Sequence, residues 1–434
     1  MRAPLASWGR LSRREHVVVP LRSRACAPAV VKASALPAIA RGNGRSYGDE
    51  ALNGGGTVWL ARGLDKFIGF DADRGVLRCE AGVSLREVID VVLPRGWFLP
   101  VTPGTQFVTL GGAVANDVHG KNHHRCGTLG EHVTALTLLR SDGHVIDCGP
   151  AARSDWFCAT VGGMGLTGVI LDVTLQLRRV PGPWIETRTH SFETLDAFFD
   201  LAAQHAEHSE YSVAWVDCLR AGAGRVRGAL FCGDHSGATA PLPPARAWSA
   251  RWLPPLRWVR PFTTRVFNEL YFRRAAGAAP ATQSYGSFFY PLDGLLEWNR
   301  MYGRRGFYQY QCVVPEAGQR EAIDELLRAV AASAGGSFLS VLKTFGSRPP
   351  LGMLSFPRAG TTLALDFANR GEATLRLFDR LNAIVAAAGG RLYAAKDAAM
   401  PAALFRHGYP RLDEFLPFRD PGISSEMSRR LLGH

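Results

Sequence analysis

The sequence predicts an α+β fold built in two unlike parts, and three observations carry that reading. Residues 40–180 read as short strands separated by glycine turns, Pro181-Gly182-Pro183 breaks the chain, and from residue 307 strands alternate with helices that would cover one face of a sheet. At 434 residues the chain is too long for one ordinary core, and its 47% hydrophobic and 20% charged residues are globular values.

In the first part, Thr57–Leu60 and Gly75–Glu80 are strand-like. Ser84-Leu85-Arg86-Glu87 is a capping box that opens a helix through Leu93. Leu136–Arg140 turns at Ser141-Asp142-Gly143 into Val145-Ile146-Asp147, and Val169–Leu177 alternates as a strand. Residues 240–261 hold six prolines with Trp248, Trp252 and Trp258, so regular structure is not expected there. An ordered cap, a mobile lid, a membrane-touching loop and an irregular surface excursion are all open readings. Beyond it, Tyr308–Val314, Ser337–Lys343 and Thr361–Phe367 are strands, and Glu321–Ala334 and Glu372–Ala388 are helices closed by Gly-Gly pairs. Arg391-Leu392-Tyr393 starts the next strand, with Arg391–Ala395 re-entering the sheet and Lys396 emerging at its end.

The formal charge of +12 and pI of about 9.6 favour anionic partners. No Arg/Lys run has interleaved aromatics and no recognition-helix pattern is present, so nucleic acid is not an expected partner. Eight scattered cysteines form no CxxC pair, which fits reduced thiols in the cytoplasm and no zinc motif. Met1–Pro20 has no unbroken apolar core, and no apolar run approaches the roughly 20 residues of a membrane span. The expected location is cytoplasmic, with any membrane attachment peripheral to its inner face.

Three glycine elements carry the chemistry. In Arg41-Gly42-Asn43-Gly44-Arg45-Ser46-Tyr47-Gly48-Asp49, alternating glycines let successive N–H groups converge on an anion such as a pyrophosphate, although a tight surface turn looks similar. Pro103-Gly104-Thr105 precedes Thr109-Leu110-Gly111-Gly112-Ala113-Val114-Ala115-Asn116-Asp117-Val118-His119-Gly120-Lys121-Asn122-His123-His124. There, small residues let backbone press on a flat ligand and the polar cluster can bond its edge. No carboxylate stands at ligand spacing beside the three histidines, so no metal is expected. The third element, Val161–Ile170 with Gly163, Gly165, Gly168 and Val169, superficially matches GxGxxG without the strand and helix of a Rossmann unit.

Gln309 and Gln311, two apart on a strand, share a face and suit a polyhydroxylated ligand, while Tyr310 and Cys312 take the other face. Lys121, Lys343 and Lys396 would suit a phosphate or hydroxyl, against the ordinary alternative of solvated surface lysines.

In this order and spacing the glycine elements resemble the FAD-binding domain of the vanillyl-alcohol-oxidase family. His119–His124, Arg41–Asp49, Ala159–Gly163, Glu297-Trp298-Asn299-Arg300, Tyr310-Gln311 and Arg391–Asp397 look like its decaprenylphosphoryl-β-D-ribose 2′-oxidase group. Trp8-Gly9-Arg10 and Tyr409-Pro410-Arg411 also fit, and residues 220–280 match poorly. The resemblance implies an FAD-binding domain over 1–180, a substrate domain with an antiparallel sheet over 181–390, and a segment 391–434 returning to the first. It implies that Arg41–Tyr47, Pro103–Thr105, Thr109, Gly111–Ala113, Asn116, Val118–Gly120, Asn122, Gly163, Gly165, Gly168, Val169 and Tyr393 hold FAD. Relatives with covalent flavin often have a histidine where Tyr47 stands, so the flavin is expected to be non-covalent. His119 and Lys396 would be catalytic, and Lys121, Gln309, Gln311, Lys343 and Lys396 would bind substrate. The implied reaction oxidises the 2′-hydroxyl of a polyprenylphosphoryl ribose, Lys396 positioning the hydroxyl or taking its proton, and a separate NAD-dependent reductase completes an epimerisation to arabinose. Thr362 and Ala364 stand where the group has asparagine and cysteine, and Phe289 where it has a tyrosine near Pro-Leu-Asp. An aldonolactone or alditol oxidase, and a non-catalytic flavin-fold binding subunit, are the alternatives.

Overall fold

The computed structural model describes every residue except 223–224, 245–246, 251–258, 334–336, 338 and 434. Trp252, Trp258, Pro254, Pro255 and the expected helix end at Ala334-Gly335-Gly336 therefore lie outside the described residues. Three of the sheets that the described residues form set the architecture. The first has four strands, in which Arg14–Pro20 and Ala38–Arg41 both run parallel to Thr57–Leu60 and Arg2–Leu5 extends the edge. The second is antiparallel, with five strands in the order Phe67–Asp71, Val76–Glu80, Val169–Gln176, Val133–Leu139 and Val145–Cys148.

The third sheet has eight strands and is antiparallel in each pairing. Its order is Ala281–Ser284, Trp184–Thr194, Arg225–Ser236, Tyr211–Val216, Ser340–Phe345, Gly360–Ala368, Phe307–Val314 and Arg391–Leu392. The helices Leu195–Ala206, Gln319–Ala332 and Glu372–Ala387 bury Phe198, Leu326, Leu327, Phe378 and Leu381 in one apolar cluster with strand residues Leu230, Leu342, Cys312 and Leu365. Each of those strand residues points away from the polar face that bears Gln309 and Gln311, because successive side chains alternate across a strand.

The capping box forms as expected, with Ser84 Oγ accepting from Glu87 N and the Glu87 carboxylate accepting from Ser84 N, and the helix runs Leu85–Val92. The strand after the last long helix is shorter than expected. It covers only Arg391–Leu392, and a 3₁₀ turn, Ala394–Lys396, follows. The segment Met1–Pro20 supplies two strands, Arg2–Leu5 and Arg14–Pro20.

The C-terminal segment packs on the first two sheets. Ile423 bridges Ala38 in parallel, Asp420 accepts from Ser141 N at 2.7 Å, and Arg430 pairs with both Asp49 at 2.8 Å and Asp397 at 3.0 Å. The helix Pro261–Ala276 is tied to the large sheet by Asn268 Nδ2 and Arg227, which donate to Asp217 at 2.6 and 2.8 Å, while Arg227 also pairs with Glu269 at 2.8 Å. Its Phe262 and Leu270 stay exposed, at 76% and 64%. Among the described residues no helix is long and apolar enough to cross a membrane.

Candidate active site

A large cavity lies between the glycine elements and the polar face of the eight-stranded sheet, spanning about 2570 Å³ of non-protein space with its open mouth included. Its first wall is largely backbone. Gly42, Asn43, Gly44, Gly104, Gly111, Gly112, Gly165 and Gly168 line it. Two of these glycines are required by close approach: a Cβ on Gly42 would lie 2.2 Å from Thr109 Oγ1, and one on Gly111 would lie 2.7 Å from Ala81 Cβ. Gly104 meets nothing within 4 Å, which leaves its backbone bare toward the cavity. Thr109 caps the short helix Leu110–Ala115 by accepting from Gly112 N.

The loop residues take different tasks. Arg41 donates to the carbonyls of Ala6 and Ala51, so its guanidinium frames the loop while the residue lines the cavity. Arg45 lies over the Trp8 ring at 4.3 Å and keeps a cation at the wall. Ala113, Asn122 and Gly163 are absent from the lining. Ala113 is fully buried in an apolar cluster, Asn122 donates to Pro100 O at 2.8 Å, and a Cβ on Gly163 would lie 2.2 Å from Ala159 O. These three expected cofactor contacts support the wall from behind. The remaining expected cofactor residues line the cavity, from Ser46, Tyr47, Pro103, Thr105, Asn116, Val118 and Gly120 to Val169 and Tyr393.

The second wall follows from register. Gln309 pairs with Asp366, Gln311 with Ala364, and Lys343 with Thr362, so these side chains share one face of three adjacent strands. Gln309 donates to Asp366 Oδ1 at 2.7 Å, and Gln311 donates to Thr362 Oγ1 at 3.2 Å. Thr362 in turn donates to Cys312 O, so its hydroxyl orients a cavity-lining glutamine. Phe289 stacks on Phe98, and the hydroxyl in that segment belongs to Tyr290, held by Thr102 at 2.6 Å.

His119 sits where the two walls meet. Its Nδ1 is 3.0 Å from Lys343 Nζ, its Nε2 is 3.1 Å from Gln311 Nε2, and Phe345, Phe356 and Tyr393 surround the ring. Burial and then the Lys343 cation hold His119 well below the usual histidine range, so it is neutral at pH 7. The Gln311 amide nitrogen can only donate, which makes Nε2 the acceptor and puts the ring proton on Nδ1, where the neutral Lys343 amine can accept it. His123 and His124 have separate partners, Gly346 N and Ser209 O, so the three histidines do not converge.

Three lysines line the cavity in low dielectric. Burial pulls Lys121 down to about 7, burial and then Lys121 pull Lys343 to about 7, and burial pulls Lys396 to about 8. Lys396 Nζ lies 4.0 Å from the Tyr47 ring centroid, and Asp366 and Glu50 raise its affinity for a proton against the burial. Lys121 is partly committed, since it donates to Phe288 O.

Glu50 and Asp366 were missed from sequence. Burial pushes each up to about 7. Glu50 Oε1 accepts from Asn116 Nδ2 at 2.8 Å, while its Oε2 and Asn116 Oδ1 have no partner although both residues line the cavity. Asp366 sits two residues beyond Ala364 on the same strand face, and that alternation is the signal that could have found it. Glu50 follows directly after the Arg41–Asp49 loop and carries no pattern of its own.

Comparison with known proteins gives this geometry a context. Residues 16–149 match the FAD binding domain family. Over 91% of the chain and 88% of its relative, 419 residues are 38% identical to decaprenylphosphoryl-beta-D-ribose oxidase of Mycolicibacterium smegmatis. The chain belongs to that family of FAD-binding oxidoreductases. An uncharacterized protein of Streptomyces coelicolor is 35% identical over 80% of this chain and all of its own length. Mouse L-gulonolactone oxidase is 31% identical over only 39% of this chain and 38% of its own. The chain is thus an FAD-dependent oxidoreductase, and a backbone-lined wall with unmet acceptors at Glu50 and Asn116 fits that flat, N–H-bearing cofactor.

If Tyr47 stands where relatives with covalent flavin carry histidine, as the resemblance implies, FAD is expected to leave with the supernatant after acid precipitation. Flavin absorbance retained in the pellet after washing overturns the non-covalent reading.

Proposed function

We propose that this chain oxidises the 2′-hydroxyl of a polyprenylphosphoryl-β-D-ribose to the 2′-keto sugar. One observation carries the reading: the second wall changes character along its length. Gln309, Gln311, Lys343 and Lys396 form its polar end, and Val213, Trp215, Phe231, Tyr271, Leu295 and Leu296 continue it toward apolar ground. Hydroxyls and a phosphate suit the first end and a lipid chain suits the second. The matched relative's own substrate name supports the same choice.

FAD, when bound, supplies the hydride acceptor. We assign its contacts to loop 42–47, Pro103–Thr105, Gly111–Gly120, Gly165–Val169 and Tyr393. The chain's own residues manage the proton and the position of the sugar. The neutral Lys396 amine takes the hydroxyl proton as the carbon–oxygen double bond forms, and Asp366 and Glu50 stabilise the resulting ammonium. Gln309, fixed by Asp366, and Gln311, fixed by Thr362, offer amide groups already oriented toward ligand hydroxyls, so little ordering remains on binding. Lys343 and Lys121 suit the phosphate, whose charge favours their protonated forms.

The test is anaerobic bleaching of the flavin. A short-chain polyprenylphosphoryl-β-D-ribose is expected to bleach it in a single turnover, whereas free aldonolactones and alditols leave it oxidised. Bleaching by a lactone or alditol alone transfers the chain to the aldonolactone or alditol oxidase reading. A flavin that dithionite reduces and none of these substrates does leaves a non-catalytic binding subunit.

A further inference from the structure

On the back of the large sheet, away from the cavity, a second cluster of chemistry-bearing side chains forms. His190 lies on the strand Trp184–Thr194, His205 near the end of the helix Leu195–Ala206, and Cys232 on the strand Arg225–Ser236. Arg188 pairs with Cys232 and His190 with Leu230, which places the cysteine and His190 on one face of neighbouring strands. Phe231, next to Cys232, lines the cavity, so Cys232 points to the opposite face, beneath the helix. One donor atom from each of the three residues lies within 4.8 Å of the others. The imidazole rings approach to 4.3 Å between centroids at 30°.

Two of these atoms are unexplained by the protein alone. His190 Nε2 and His205 Nδ1 are both buried and neither has a hydrogen-bond partner. A buried nitrogen without a partner costs free energy, and two beside one thiol make a common cause the economical account. Cys232 is 1% exposed.

We propose that His190, His205 and Cys232 bind a zinc-class divalent ion that pins the end of the helix to the sheet. Two imidazoles and one thiolate are a soft, tetrahedral-compatible set, and a water or the neighbouring Ser209 hydroxyl completes the fourth position. A neutral imidazole leaves one ring nitrogen with a lone pair for the metal. The Cys232 thiol, pushed up to about 11 by burial, loses its proton to solvent as the sulfur–metal bond forms. Arg188 has an exposed head, so its charge is screened by solvent at the opening. Its place on the face of the sheet opposite the cavity makes the ion structural, with no part in the redox reaction.

The experiment uses the FAD-loaded protein, stripped with a chelator, incubated with zinc, desalted, and measured for zinc by mass spectrometry and for FAD by absorbance. One zinc per FAD is expected in the wild type, together with a melting temperature raised by zinc. Cys232→Ala and His205→Gln are expected to lose both the zinc and the zinc-dependent rise while keeping FAD. No retained zinc in the wild type overturns the proposal, as does zinc that persists in both variants or disappears instead in Cys26→Ser at the exposed cysteine. Should Cys232→Ala lose its flavin through misfolding, His205→Gln, whose ring is only half-buried, gives the same decision.

Discussion

Replacing Lys396 by methionine is expected to leave FAD bound and to slow its reduction by substrate by on the order of 10²-fold or more, the scale of a positioned acid–base group. Methionine keeps an unbranched apolar stem, so the buried space stays filled while the nitrogen over the Tyr47 ring is lost. An ordinary lysine is almost wholly protonated near neutrality and makes a poor base, but burial brings this one to about 8. The sign of the pH dependence follows. Below about 8 the ammonium dominates and cannot accept a proton, so the wild-type reduction rate should climb as pH rises through about 8 and then level. The methionine variant should lack that climb. Asp366 and Glu50 oppose the burial, which keeps the transition from falling further into acid. Anaerobic stopped-flow reduction across pH 6–10 checks both parts. A variant with normal FAD content and the wild-type rate removes Lys396 from the chemistry.

Much of this site could be read from residue order because its features are local. The two-residue spacing of Gln309 and Gln311 already places them on one face, and the observed register adds only that Asp366 and Ala364 stand opposite them. The Ser84–Glu87 capping box is complete within four residues and forms as read. The less legible features depend on contacts distant in sequence. Arg41 reads as a cation for phosphate until its partners, the Ala6 and Ala51 carbonyls, are seen. Ala113 belongs to the small-residue run, but a helical turn carries it to the buried side while Gly112 and Ala115 reach the cavity. The strands Trp184–Thr194 and Arg225–Ser236 have no legible pattern in the sequence. They mix Arg188, His190, Arg227 and Asp234 into their alternation, because one end of each is solvated and Arg227 is neutralised by Asp217. The sequence pattern puts Lys396 at a strand end. The backbone of its turn bonds instead to the flavin-side loop, where Tyr47 N donates to Ala395 O at 3.2 Å, and nothing local announces that partner.

That contact leaves Gly48 no room for a side chain. A Cβ at this position would lie 1.5 Å from Asp397 O and 2.5 Å from Asp397 C, both backbone atoms that no side-chain rotation can move aside. Asp397 follows Lys396 directly, and it is held by Arg430 at 3.0 Å and by the N–H groups of Ala399 and Met400, which accept no easy shift. Gly48→Ala must therefore either push the Lys396 turn away or unseat the loop that carries Tyr47. The cost of such backbone overpacking is on the order of 3 kcal/mol or more. The expected result is a lowered melting temperature with weakened FAD retention, and slow flavin reduction in whatever protein remains loaded. Gly69→Ala is the matched control. That glycine lies in the exposed edge strand Phe67–Asp71 and would meet nothing within 4 Å, so the same added methyl should cost less than about 0.5 kcal/mol. Thermal denaturation and flavin titration of the two variants side by side check the argument. A Gly48→Ala protein as stable and as yellow as Gly69→Ala would mean that the loop and the Lys396 turn do not touch, and the placement of the base beside the flavin wall would fall with that contact.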